Sequence, residues 1–124
     1  MIERIHPAGA PAPRGPYSPA VRAGDFIFVS GQVSSEPGDI AHETRQVLTN
    51  LARILESCGA SLADVVKCSV FLGDGQDFPA MNDVYAEFFG DLRPARSTVV
   101  TAFAIPGIKV EIDAIAYQPA VRLL

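Results

Sequence analysis

Apolar positions along this chain recur with two periods, and the switches between them mark out helices and strands. Ile40, Thr44, Val47, Leu48, Leu51, Ile54, Leu55 and Cys58 fall at three- and four-residue steps, which predicts an amphipathic helix. Asp39 suits its N-cap and Gly59 the position just past its end. Residues 65 to 72 alternate instead, placing Val66, Cys68, Val70 and Leu72 on one face of a strand. Phe78, Met81, Tyr85, Phe88 and Phe89 return to helical spacing, with Asp77 as the expected cap and Gly90 as the stop. Residues 108 to 117 alternate again: Ile108, Val110, Ile112, Ala114 and Ala116 take one side, and Lys109, Glu111, Asp113, Ile115 and Tyr117 the other.

Proline and glycine supply the punctuation. Pro7, Pro11, Pro13, Pro16 and Pro19, with Gly9 and Gly15, rule out helix over residues 7 to 19 and predict an extended arm ending at Tyr17 and Ser18. Residues 19 to 22 and 26 to 30 then read as a hairpin about Ala23-Gly24-Asp25, the second strand running into Gly31-Gln32-Val33. Another strand is expected over residues 96 to 103. The order strand, strand, helix, strand, helix, strand, strand predicts an α+β fold in which a single mixed β-sheet carries both helices on one face. A length of 124 residues allows one core, so residues 1 to 124 read as a single domain. The other sheet face would present Val65, Phe71, Val100, Ile115 and Tyr117, too apolar to stay wet, which predicts symmetric self-association.

Composition narrows the partners. A net charge of −4 provides no basic field for nucleic acid. Neither a secretory leader pattern nor a membrane-length apolar run is present, and Cys58 and Cys68 lack redox or metal spacing. Buried free thiols in a cytoplasmic protein are the expectation. His6 and His42 read as solvated surface groups rather than metal ligands. Gly73-Asp74-Gly75 reads as a turn, not a nucleotide loop, and Ser30 lies in no nucleophile motif. No cofactor or metal is expected.

One pair could carry chemistry. Arg96 shares a strand face with Thr98, and Glu111 lies on the polar face of the last strand. Hairpin-like pairing of the two strands would join an arginine fork for a carboxylate to a proton-transferring glutamate. On spacing alone, an ordinary cross-strand ion pair between Arg96 and Glu111 is the better reading.

A longer series of segments changes that balance. Gly15-Pro16-Tyr17-Ser18-Pro19-Ala20, Ser30-Gly31-Gln32, Thr44-Arg45-Gln46 with Asn50-Leu51, Asp64-Val65-Val66-Lys67, Asp77-Phe78 with Met81-Asn82, Tyr85-Ala86-Glu87-Phe88-Phe89-Gly90, Pro94-Ala95-Arg96-Ser97 and Val110-Glu111-Ile112 follow in order. Together they resemble the Rid family, also called YjgF, over nearly the whole chain. The resemblance implies a chorismate-mutase-like fold, a homotrimer built around the open sheet face, active sites in the clefts between subunits, and no cofactor. It also implies hydrolysis of 2-enamino and 2-imino acids, such as 2-aminoacrylate, to keto acids and ammonia. Arg96 matches the family's carboxylate-binding arginine and Glu111 the glutamate that positions water; Tyr17, Ser30, Gly31 and Asn82 match pocket positions. Thr98 departs from the cysteine many members carry, and the loops at residues 34 to 39 and 90 to 94 look shorter, which bears on pocket size. A non-catalytic trimer that senses keto acids through Arg96 stays open as an alternative. RNA cleavage, a role attached to some relatives, is disfavoured by the acidic balance and by the lack of a paired-histidine site.

Overall fold

A computed structural model describes residues 1–119 of the chain; the last five residues of the expected domain lie outside the described ones. The strands are β1 (Ile2–Ile5), β2 (Ala20–Ala23), β3 (Phe26–Gln32), β4 (Val65–Leu72), β5 (Ala95–Val100) and β6 (Val110–Tyr117), and the long helices are α1 (Ile40–Ser57) and α2 (Phe78–Phe89). The six strands form one sheet in the order β1-β2-β3-β6-β4-β5. Only β4 and β5 run parallel, joined by the α2 crossover; the other neighbours are antiparallel. Both helices cover the same face. Ile27 and Val29 of β3, Cys68, Val70 and Leu72 of β4, and Val110, Ile112 and Ala114 of β6 are buried there with Leu48, Leu51 and Leu55 of α1 and Met81 of α2. No helix among the described residues is long and apolar enough to cross a membrane.

The termini of α1 follow their expected chemistry. The Asp39 side chain accepts the His42 N–H at 2.8 Å, and Gly59, at φ +80°, supplies the left-handed residue past the last turn. Asp77 does not cap α2. It is itself helical (φ −80°, ψ −6°) and makes no capping bond, because a short 3-10 turn, Gly75–Asp77, leads into the helix. Asp74 starts that turn by accepting the Gln76 N–H at 2.9 Å.

Strand parity holds in β6 and shifts in β4. A bulge between Val65 and Lys67 turns Val65 inward and leaves Val66 44% exposed, the reverse of strict alternation. Val100 pairs with Leu72 and so belongs to the helix side, whereas Val99 pairs with Phe71 and faces the open side. The open face therefore presents Phe26, Phe28, Val99, Ile115 and Tyr117, with the Phe26 and Tyr117 rings edge to face at 5.2 Å. β5 ends at Val100, not Phe103, and β1 adds an edge strand that the alternation did not single out. Cys68 is buried as expected; Cys58 is only half-buried, at the end of α1.

Candidate active site

Glu111 sits opposite Phe71 on the open side of β6. Between Val29 and Gln32 the β3–β6 register shifts, and the irregularity brings Gly31 over the carboxyl. A Cβ built on Gly31 would lie 2.5 Å from Glu111 Oε2, so only glycine fits without displacing the acid. The carboxyl lines a cavity of about 140 Å³ whose other walls include Tyr17, Val33, Phe103 and Ile105, with Arg14 alongside. Burial and, secondarily, the Asp113 carboxylate raise the Glu111 pKa above the usual carboxylate range. No hydrogen bond or ion pair engages its carboxyl among the described residues.

Ser30 serves the arm rather than the cavity. Its hydroxyl donates to the Ser18 carbonyl at 2.7 Å and its N–H to the Pro19 carbonyl at 2.9 Å, which pins the arm where it delivers Tyr17. The Tyr17 hydroxyl accepts the Arg14 N–H at 3.3 Å, folding the arm against itself. Gly31→Ala tests this packing: the protein should remain folded, with turnover reduced at least about tenfold because the acid is pushed from its place. Wild-type turnover in that variant would show the contact to be irrelevant.

A second cluster forms at the opposite edge of the sheet. Arg96 of β5 lies opposite Cys68 and Thr98 opposite Val70, both buried core positions, so Arg96 and Thr98 face the helices. The guanidinium carbon stands 4.8 Å from the Tyr85 ring centroid and 5.7 Å from that of Phe78, within cation–π range. Asn82 falls between these two aromatics at helical spacing on α2. Asn82 Oδ1 and Thr98 Oγ1 are buried without a hydrogen-bond partner, and the Tyr85 hydroxyl has only the Cys68 thiol beside it. Such atoms on the side of the sheet that carries Arg96 are a prepared polar surface, since each is costly to leave unpaired. Burial raises the Tyr85 pKa far above its ordinary value and raises the Cys68 thiol as well, so both groups stay protonated.

The two clusters do not meet within one chain. β4 lies between β5 and β6, which excludes the expected direct pairing. Arg96 shares a face with Cys68 while Glu111 shares the opposite face with Phe71, so their cross-strand ion pair is excluded too. The structure thus brings Tyr17, Gly31 and Glu111 together on one side, with Ser30 behind them, and Arg96, Asn82 and Thr98 on the other. Sequence reasoning missed Tyr85 and Phe78 as supports of the arginine, although their spacing about Asn82 was a usable signal. It also missed Glu43, which is 2% exposed on α1 despite its charge.

Comparison with known proteins shows the family of the chain. The family model described as Endoribonuclease L-PSP matches residues 8–118. This chain belongs to that family, the YjgF or Rid family. A RutC family protein of Pyrococcus horikoshii is 47% identical over 125 residues, covering 95% of this chain and 99% of the relative. A 2-iminobutanoate/2-iminopropanoate deaminase of Dermatophagoides farinae is 42% identical, covering 86% of this chain and 88% of the relative. The crystal structure of the YjgF gene product of E. coli superposes with a TM-score of 0.85 at 39% identity, covering 93% of this chain and 98% of that one. As a Rid-family chain, the protein has the single mixed sheet with two helices that the order of its elements predicted.

Proposed function

We propose that this Rid-family chain hydrolyses 2-enamino and 2-imino acids to 2-keto acids and ammonia, in sites assembled between subunits of a homotrimer. The observation that carries the reading is the separation of Arg96 from Glu111. Arg96 stands near buried polar atoms left unpaired, a cluster suited to a carboxylate, while the Glu111 carboxyl lines its own cavity and is suited to proton transfer, and a second copy of the chain is the simplest way to join them. The open face supports the same reading: Phe26, Phe28 and Tyr117 are each more than 40% exposed on a single surface, an area suited to burial by another subunit. The deaminase name of the Dermatophagoides farinae relative is consistent with it.

The reaction follows from these groups. Arg96 of one subunit holds the substrate carboxylate bidentately after the enamine has tautomerised to the imine. Glu111 of the neighbouring subunit takes a proton from water as its oxygen bonds to the imine carbon. Glu111 returns that proton to the nitrogen as the carbon–nitrogen double bond opens, giving a carbinolamine; it then carries the carbinolamine hydroxyl proton to the amino nitrogen as the carbon–oxygen double bond forms and the carbon–nitrogen bond breaks, and keto acid and ammonia leave. A carboxyl with a raised pKa accepts and gives back a proton more readily near neutral pH than an ordinary one.

Mixing subunits tests the shared site. Arg96→Ala and Glu111→Gln chains should each be nearly inactive alone. Co-assembled at equal ratio, they should recover about a quarter of wild-type 2-aminoacrylate hydrolysis, since one interface in four pairs two intact halves. Light scattering on the same samples should report a trimer. No recovery from exchanged trimers, or a stable monomer at micromolar concentration, would refute the shared site.

A further inference from the structure

The cavity beside Glu111 has a second charged residue on its wall. Among the described residues that line it, only Arg14 and Glu111 carry charge, and most of the rest are apolar, Val33, Phe103, Ile105 and Ile108 among them. The two do not pair with each other. Asp113 is the one charge acting on the Glu111 carboxyl, and Arg14 enters no ion pair among the described residues.

The backbone of Arg14 is held while its guanidinium is not. Its N–H donates to the Tyr17 hydroxyl at 3.3 Å, and the Tyr17 N–H donates to the Gly15 carbonyl at 2.9 Å. No hydrogen bond, ion pair or ring contact engages the Arg14 side chain among the described residues. Acids stand nearby, since Arg14 also lines an adjoining cavity with Glu36 and Glu43. Both face other partners. Glu36 accepts from the Gln46 amide at 3.0 Å with His42 at 3.7 Å, and Glu43 accepts the Lys109 N–H at 3.1 Å with the Lys109 ammonium at 3.4 Å.

An arginine with all its donors uncommitted, on the wall of a cavity that otherwise holds only the acid–base carboxyl, suits an anion brought by the occupant. The cavity measures about 140 Å³, roughly ten times the least volume that holds a water, so an occupant longer than 2-aminoacrylate fits. We propose that the site selects 2-enamino and 2-imino acids carrying a second, distal carboxylate, and that Arg14 is the specificity-determining residue that binds it. The inference rests on the deaminase reading for the placing of the reacting carbon at Glu111 and of the first carboxylate at Arg96.

Keto-acid binding tests the selection without turnover. Calorimetry on the full-length assembly compares 2-oxoglutarate with 2-oxopentanoate, which share a carbon chain and differ in ending on a carboxylate or a methyl group. The wild type should bind 2-oxoglutarate at least about tenfold more tightly. In Arg14→Gln that ratio should fall to within about twofold of one, and Arg14→Lys, which keeps the charge and loses the planar fork, should fall between. A residue that only shapes the arm would shift both keto acids alike and leave the ratio where it was. Arg14 is exposed, so both variants should fold. The kcat/KM ratio for the two matching imines, generated in place by an amino-acid oxidase, should follow the binding ratio through the series.

A wild type that binds the two keto acids alike, or an Arg14→Gln variant that keeps the preference, overturns the proposal. If the preference is present and lost as expected while no imine is hydrolysed, the Arg14 site stands and the deaminase reading fails. If both imines are hydrolysed with no preference in the wild type, the deaminase reading stands and this inference fails.

Discussion

Glu111→Gln should lower imine turnover by about 10²- to 10⁴-fold while leaving the assembly and its affinity for keto acids close to wild type. The amide is nearly isosteric with the acid, so the close contact with Gly31 is preserved and the cavity keeps its shape. Only the ability to carry a proton is lost. Because the carboxyl has no hydrogen-bond partner among the described residues, its replacement strands no buried donor, and the melting temperature should barely change. Stopped-flow decay of 2-aminoacrylate, released by a dehydratase in the same cell, measures turnover above the spontaneous background. Turnover within twofold of wild type would assign Glu111 to structure.

On the proposed mechanism the wild-type pH profile should carry the same signature. There Glu111 acts as a base in its ionised form, so kcat/KM should be full above its pKa and fall as pH drops through it. Burial and Asp113 push that pKa up, so the fall should begin above the range of an ordinary carboxylate. In Glu111→Gln this limb should disappear.

The parts of the fold that sequence foretold are those dictated by local periodicity. α1 repeats its apolar residues through five turns and caps itself with Asp39, and β6 alternates without interruption, so each could be read from its own residues. What failed depended on neighbours. The bulge at Val65 inverts the first positions of β4, and it is defined by the pairing of β4 with β6 rather than by any residue in the strand. The order β6-β4-β5 likewise places a strand between Arg96 and Glu111 that no spacing announces. The candidate site was therefore legible as a list of residues, through resemblance, and not as a geometry. Parity did know one thing: it put Glu111 opposite in face to Ile112 and Val110, and once β5 is registered on Cys68 the two halves must face apart.

Arg96→Lys separates the two tasks an arginine could perform at the edge of this sheet. Ion pairing with Glu111 inside the chain is excluded by their opposite faces, so the remaining structural task is to cover the rings of Tyr85 and Phe78. A lysine retains much of that contact, because an ammonium also sits favourably over an aromatic face and its methylene stem packs on the ring. Stability should therefore change by less than about 1 kcal/mol. The carboxylate-binding task is different, since lysine cannot present the planar pair of donors that holds both carboxylate oxygens at once. Losing a charge-assisted bidentate contact costs roughly 1.5 to 3 kcal/mol, so keto-acid affinity should fall by at least about tenfold. Turnover should fall further, because a substrate held by a single point charge can rotate away from the water and Glu111. The orphaned Asn82 and Thr98 atoms sharpen the test: both are buried without a hydrogen-bond partner, and both are unchanged in Arg96→Lys, so a loss of binding there falls on the guanidinium alone. Melting temperature, light scattering, pyruvate binding and 2-aminoacrylate hydrolysis on one Arg96→Lys sample decide between the tasks. A folded trimer with near wild-type binding and hydrolysis would remove Arg96 from the site, whereas a folded trimer that neither binds nor turns over places it there.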